Sequence, residues 1–227
     1  MVNSEDRGAA KPFKDDIDYL QDEARWVHAR ARHLGAVAAA RADAEDEHVS
    51  GLSLAGEDRL DHEARAKIAR LAATEDNLRS EIDARLAASR DADVLLGLDR
   101  LCNRHDLDQI DRHLLLLTML PAMGLELAEL LGGVGTFGFS ICSITPELTA
   151  VVLQMDLAGR IDLRQRLQPD GKLVKAVLVE VEDRPTDRVQ DFWTNGVFIT
   201  ESAFTVITGV DGPAVPGRCA ACGHTAS

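Results

Sequence analysis

Apolar residues recur along the first half of the chain at alternating spacings of three and four. The first set consists of Ile17, Leu20, Ala24, Val27, Ala31, Leu34 and Ala38. The second set, with spacings of three, four and seven, consists of Ile68, Leu71, Leu78, Ile82 and Leu86. Such spacings place side chains on one face of an α-helix, whereas a half-buried strand would alternate apolar and polar residues. The pattern predicts two long amphipathic helices.

The segment between the two sets, residues 48–56, contains two glycines and two serines and interrupts the periodicity. We therefore expect an antiparallel helical hairpin, or coiled coil, over residues 14–90. Two roles for it remain open at this stage. The hairpin either packs only on the rest of the fold or binds another chain, and in the second case Leu20, Val27 and Leu34 are the interaction residues.

Leucine dominates residues 93–131, which predicts the buried helices of a compact domain. Pro121 should end or kink the helix that contains Leu114 to Leu120, because it lacks a backbone donor. Thr145-Pro-Glu combines a cap residue, a first-turn proline and a first-turn acid, so a helix is expected over residues 146–156.

The last third of the domain changes to β-branched residues. Residues 172–181 and 196–200 are the candidate strands, separated by a polar turn, and residues 201–209 fit a short helix that ends at a glycine. The predicted fold is mainly α with a small β component. A long helical hairpin is followed by a winged-helix-like domain over residues 93–209.

Both ends of the sequence lack apolar periodicity. Residues 1–13 are expected to form a disordered tail, and residues 210–227 a flexible tail. The second tail contains Cys219, Cys222 and His224, whose CxxC spacing with a neighbouring imidazole suits structural zinc. Only part of a tetrahedral site is visible, so a disordered tail and a redox pair are the alternatives. Otherwise we expect no cofactor.

Composition narrows the choice of partner and compartment. The formal net charge is -13, from 38 acidic and 25 basic residues, which disfavours nucleic acid as a partner. A local basic patch is the exception to consider, made of Arg160, Arg164, Arg166, Lys172 and Lys175. The start of the chain lacks the apolar core of a signal peptide, and no run of about 20 apolar residues occurs. We expect a cytoplasmic protein without membrane insertion.

No catalytic motif is complete. The glycines of residues 132–138 are not followed by the lysine and hydroxyl of a phosphate loop, so ATP binding is not expected. His105 and His113 lie near carboxylates but without a nucleophile motif, and solvated helix surface is the better interpretation. Cys102 and Cys142 are expected in the core. Trp26 and the Phe192-Trp193 pair are typical packing residues, although an exposed Trp193 would anchor a partner.

Three segments carry a family resemblance. Residues 107–123, 167–180 and 204–209 resemble, in the same order, stretches in the N-terminal region of bacterial AAA+ ATPases, including those associated with contractile injection systems. The resemblance spans roughly residues 93–209 and implies a variant winged-helix domain that precedes the ATPase.

Those relatives continue into an ATPase, whereas this sequence stops at Ser227. We therefore expect either an N-terminal fragment of a longer active ATPase or a stand-alone relative. The favoured function is a non-catalytic adaptor for recruitment or oligomerisation, which binds a protein partner or itself through the hairpin. A DNA-binding winged-helix regulator is the alternative.

Overall fold

The computed structural model describes residues 10–46, 62–123, 143–182 and 189–209. In chain order the elements are α1 (Asp16–Asp46), α2 (His62–Asp91), α3 (Gly97–His105), α4 (Gln109–Ala122), α5 (Pro146–Val152), α6 (Leu157–Arg166), α7 (Lys172–Lys175), β1 (Val179–Val181), a 3₁₀ helix (Val189–Thr194), β2 (Val197–Ile199) and α8 (Glu201–Thr208). The predicted mainly α fold with a small β component is confirmed. Of the helices in these ranges, none is both long and apolar enough to cross a membrane.

Helices α1 and α2 form the predicted antiparallel hairpin. Ion pairs along α1 meet partners on α2 in reverse order: Asp18 and Asp22 with Arg85 at 2.6 and 2.5 Å, Glu23 with Arg79 at 3.0 Å, and Arg30 with Glu75. Each of these pairs joins the two helices, so polar contacts as well as apolar packing set the register of the hairpin.

Burial of the hairpin seam decreases toward the connection between the helices. Leu20 and Val27 are 2% and 1% exposed, but Leu34 is only half-buried. On α2, Ile82 is buried in the same way, whereas Ile68 is half-buried. The buried end is the end that packs against the rest of the chain.

Two expectations for α1 were wrong in detail. Ile17 is 39% exposed, because the buried face includes Tyr19 and Trp26, which contact the following domain. The predicted tail also extends too far: Phe13 is 1% exposed, and its backbone N–H donates to Ser89 Oγ at 2.8 Å. Its ring packs edge-on against Tyr19, which holds the start of the hairpin in place.

A buried polar network joins the hairpin to the helical domain. Arg112 of α4 donates from Nη2 to the Tyr19 hydroxyl at 2.7 Å and pairs with Asp99 of α3. The Tyr19 hydroxyl donates in turn to Glu23 Oε1 at 2.7 Å. Burial raises the pKa of Tyr19, and the neighbouring charge of Glu23 raises it further. Elements α1, α3 and α4 are therefore held by one chain of hydrogen bonds.

Trp26 forms the second part of this joint. Its ring stacks on His113 with centroids 5.5 Å apart, and the guanidinium groups of Arg30 and Arg79 lie 5.5 and 5.3 Å from it. The prediction of a solvated His113 was wrong, because the imidazole is half-buried between helices. Burial, together with the charges of Arg79, Arg112 and Arg30, lowers the pKa of His113 to about 4.

Local cap signals fix the next two helices. Thr145 Oγ1 accepts from Leu148 N at 3.1 Å, and α5 begins at Pro146 as predicted. It ends at Val152, earlier than expected, because Gln154 adopts a left-handed conformation with φ 50°. Asp156 then caps α6, which the sequence pattern did not reveal. Elements α5 and α6 thus form a helix-turn-helix with a four-residue turn.

Strands β1 and β2 pair antiparallel, with Val179 opposite Ile199, and Ile144 bridges to Val197 on the other side. The strand predicted over residues 172–181 was largely wrong: its first half is helix α7, followed by Val177 at φ 54°. The helical turn buries Leu173 completely, and this burial outweighs β propensity. The strand predicted over residues 196–200 is confirmed as β2. Helix α8 ends at Gly209 as predicted, in a left-handed cap.

We predict that Val27→Asp lowers the free energy of unfolding by about 3–5 kcal/mol, since an unpaired carboxylate would replace a fully buried side chain. For a chain of this size that corresponds to roughly 10 °C in the melting temperature. Ala39→Asp, at an exposed position of the same helix, is the matched control and should melt close to wild type. Equal melting temperatures for wild type and Val27→Asp would contradict the assignment of the seam.

A second prediction concerns pH. Because the folded pKa of His113 lies below the usual 6.5, the unfolded state binds a proton that the folded state excludes, and stability falls as pH decreases from about 6.5 to 4. His113→Phe retains a ring against Trp26 and removes the titration. Urea unfolding at several pH values measures this effect. As the pH falls, the free energy of unfolding of the variant should decrease less steeply than that of the wild type, by up to about 1.4 kcal/mol per pH unit. Parallel curves would contradict this.

Candidate interaction surface

Helix α6 has an apolar face directed to solvent. Leu163 is 0% exposed and anchors the helix in the core, whereas Leu157 and Ile161, one turn apart, are 74% and 54% exposed. Side chains four residues apart lie side by side on a helix. The two therefore form a continuous apolar strip on the second helix of the helix-turn-helix.

Aromatic residues of the 3₁₀ helix lie beside this strip. Phe192 and Trp193 pack edge to face with centroids 5.3 Å apart. The guanidinium of Arg160 lies 5.4 Å from the Trp193 ring, and that of Arg164 lies 5.4 Å from the Phe192 ring. Both arginines belong to α6. We call Leu157, Arg160, Ile161, Arg164 and Trp193 the α6 surface.

The predicted basic patch is largely neutralised by carboxylates. Arg160 makes a bidentate contact with Glu147 at 2.5 and 2.9 Å. Arg166 contacts Asp108, Asp111 and Asp162 at 2.7 to 2.8 Å, and Lys172 Nζ lies 2.9 Å from Asp106. These charges are satisfied within the chain, so the patch offers few cations to phosphate groups.

The four candidate interaction residues have different positions. Leu20 and Val27 are buried inside the chain, which fits the packing role left open for the hairpin. Leu34 lies in the half-buried part of the seam. Trp193 is half-buried against the core, and Arg160 lies over its ring. The structure therefore brings Trp193 together with α6 and not with the hairpin residues.

Several other candidates lie outside the described residues: Cys219, Cys222 and His224 of the zinc hypothesis, the glycines of residues 132–138, and Cys142. The zinc site stays a prediction. Within the four described ranges, no cluster of three His, Cys, Asp or Glu side chains is suited to a metal ion. Cys102 is buried as expected, and burial raises the pKa of its thiol.

Comparison with known proteins identifies the family of the chain. A family model for a winged helix domain, variant, matches residues 1–214. No curated protein and no solved structure matches the chain. The match includes the hairpin as well as the helix-turn-helix and the two strands.

The orientation of α6 can be tested with two substitutions on the same helix. Ile161→Asp introduces a charge at a solvent-facing position, so its melting temperature should stay within a few degrees of wild type. Leu163→Asp buries the same charge without a partner and should unfold most of the domain. Thermal denaturation followed by circular dichroism measures both. Comparable destabilisation by the two changes would show that Ile161 is not exposed.

Proposed function

Because the chain belongs to the winged helix domain, variant, family, we propose that it is a non-catalytic adaptor that recruits a protein partner through the α6 surface. Fold alone does not decide this, since one fold supports many functions. The observation that carries the proposal is the exposure of Leu157 and Ile161 on α6.

The position of this helix makes the observation informative. In DNA-binding helix-turn-helix proteins, the second helix lies in the major groove and presents polar and charged side chains to bases and phosphates. Here the corresponding helix presents an apolar strip. Apolar surface flanked by aromatic and arginine side chains is typical of protein interfaces, where burial of such residues provides much of the binding energy.

Charge gives independent support. A chain of net charge -13 repels the phosphate backbone unless free cations collect on one face. On the helix-turn-helix, Arg160 and Arg166 are instead engaged by carboxylates of the same chain. The DNA-binding alternative is therefore the less favoured of the two.

The likeness to N-terminal regions of AAA+ ATPases makes the proposal more specific. In such an arrangement the domain would select or position a client for a motor, without binding nucleotide itself. The described residues support this role with a recognition surface on an anchored helix, because α6 is held by Leu163 and by the contact between Arg160 and Glu147.

The proposal is tested by site-specific photo-crosslinking in cells. A photoreactive amino acid at position 161 should give a discrete protein adduct, and adding Leu157→Asp to the same chain should abolish it. The same probe at position 201, exposed on α8, is the control and should give a different pattern or none.

Fluorescence anisotropy with a mixed-sequence DNA duplex, at about 50 mM salt, provides the opposing measurement. We expect no saturable binding below about 1 µM, and tight binding that weakens steeply with salt would favour the DNA-binding alternative instead. Two results would overturn the recruitment role of α6. The probe at position 161 could give no adduct, or it could give an adduct that persists when Leu157→Asp is present.

A further inference from the structure

Charge is segregated along the hairpin. In α1 and the residue before it, residues 15–23 contain five acidic residues and no basic one, whereas residues 24–41 contain four arginines and no acidic residue. In α2, residues 64–74 contain three basic residues and no acidic one, while residues 75–91 contain five acidic residues and three arginines. The chain has a net charge of -13, so these cationic stretches are local exceptions to its overall charge.

The antiparallel pairing places segments of the same sign side by side. Arg85 contacts both Asp18 and Asp22, which aligns the acidic part of α1 with the end of α2. Residues 24–41 consequently lie beside residues 64–74 and beside the first turns of the acidic part of α2, where Arg30 contacts Glu75. We call residues 24–41 and 64–74 the basic segment of the hairpin, and residues 15–23 with 75–91 its acidic base.

The two parts differ in how their charges are satisfied. In the acidic base, Arg79 and Arg85 form ion pairs across the hairpin. In the basic segment, the exposed side chains of Arg32, Lys67 and Arg70 have no carboxylate within ion-pairing distance in the part of the chain that the structure describes. Neighbouring like charges oppose folding of an isolated hairpin, and an external anionic surface would relieve that cost.

These charges share one edge of the hairpin. On α1, Asp18, Asp22 and Arg25 follow spacings of four and three, and Arg32 follows seven residues later, so they form one stripe. Arg85 meets the acidic end of this stripe from α2. Counting back from Arg85 by helical spacings of seven, four and seven reaches Lys67, which therefore lies on the same edge as Arg32.

We propose that two copies of this chain associate through their hairpins in antiparallel fashion, so that the basic segment of each lies against the acidic base of the other. The middle of the acidic part of α1 and the middle of its basic part are about 14 residues apart, or roughly 21 Å at 1.5 Å per residue. A two-fold axis halfway between them, close to Arg25, makes both contacts at once. This arrangement closes on itself and forms a dimer.

The half-buried seam supports the choice of a second copy as the occupant. Leu34, Ile68 and Leu71 lie in the basic segment and are only half-buried by the contact between α1 and α2. Two helices cover an apolar seam incompletely, whereas four helices enclose it. The partner hairpin would cover this part of the seam while Glu81, an exposed acid on the edge that carries Lys67, faces the basic side chains. Asp22 and Glu23 are buried and paired with Arg85 and Arg79 of the same chain, so they do not take part in this contact. The inference concerns a different surface from α6 and does not depend on the proposed function.

Size-exclusion chromatography with light scattering tests the pairing on the full chain. At about 50 mM salt we expect twice the mass of the 24.6 kDa chain, falling to the monomer mass near 1 M, where screening shortens the range of charge interactions to about 3 Å. Arg32→Glu with Lys67→Glu should give a monomer even at low salt. Both side chains are exposed, so a helical circular dichroism spectrum like that of the wild type and a cooperative thermal transition will confirm that the variant folds.

The matched control is Arg104→Glu with Lys175→Glu, which changes the net charge equally at exposed positions outside the hairpin and should leave the dimer intact. Mixing the Arg32→Glu, Lys67→Glu chain with a Glu81→Lys chain should restore a mixed dimer, because Glu81 is an exposed acid of the acidic base. A monomer at low salt for the wild-type chain would overturn the proposal. A dimer unaffected by both salt and charge reversal would overturn it as well.

Discussion

The buried guanidinium of Arg112 is the constraint on which the arrangement of this protein depends. Its side chain is 9% exposed, and a buried charge without a partner costs several kcal/mol. Asp99 supplies the opposite charge, and the Tyr19 hydroxyl accepts a second hydrogen bond from the guanidinium. Apolar burial of Leu20 and Val27 provides attraction without direction. The polar contacts add direction, so they determine how the hairpin is oriented on α3 and α4.

The need to pair buried charges also determines which groups remain available on the surface. Because the chain has an excess of carboxylates, most arginines near the core find partners inside the molecule, as Arg160 does with Glu147 and Arg166 with Asp111. Two kinds of surface then remain for other molecules. One is the apolar strip of α6, and the other is the cationic edge of the hairpin around Arg32. They call for different partner chemistry, apolar in the first case and anionic in the second.

Sequence patterns predicted the features that depend only on residues close together in the chain. Spacings of three and four predicted the hairpin, and Thr145-Pro146 predicted the start of α5 because a cap bond involves only neighbouring residues. Residues 172–181 show the limit: their composition favours a strand, but Leu173 is buried by elements distant in sequence. The stack of Trp26 on His113 likewise depends on tertiary packing. For α6, the spacing of Leu157 and Ile161 resembles that of core residues, so exposure was not predictable.

If both proposals hold, their combination changes the energetics of recruitment. A two-fold dimer places two α6 surfaces in one particle, and a partner that contains two matching sites would bind the second at a raised effective concentration. Affinity then increases without any new contact on α6 itself. Charge screening does not weaken the apolar contact of Leu157 and Ile161, whereas it does weaken the hairpin contact. Raising the ionic strength would therefore weaken the binding of a partner that has two sites, because it separates the two α6 surfaces of the dimer. The strength of each single α6 contact would stay nearly constant.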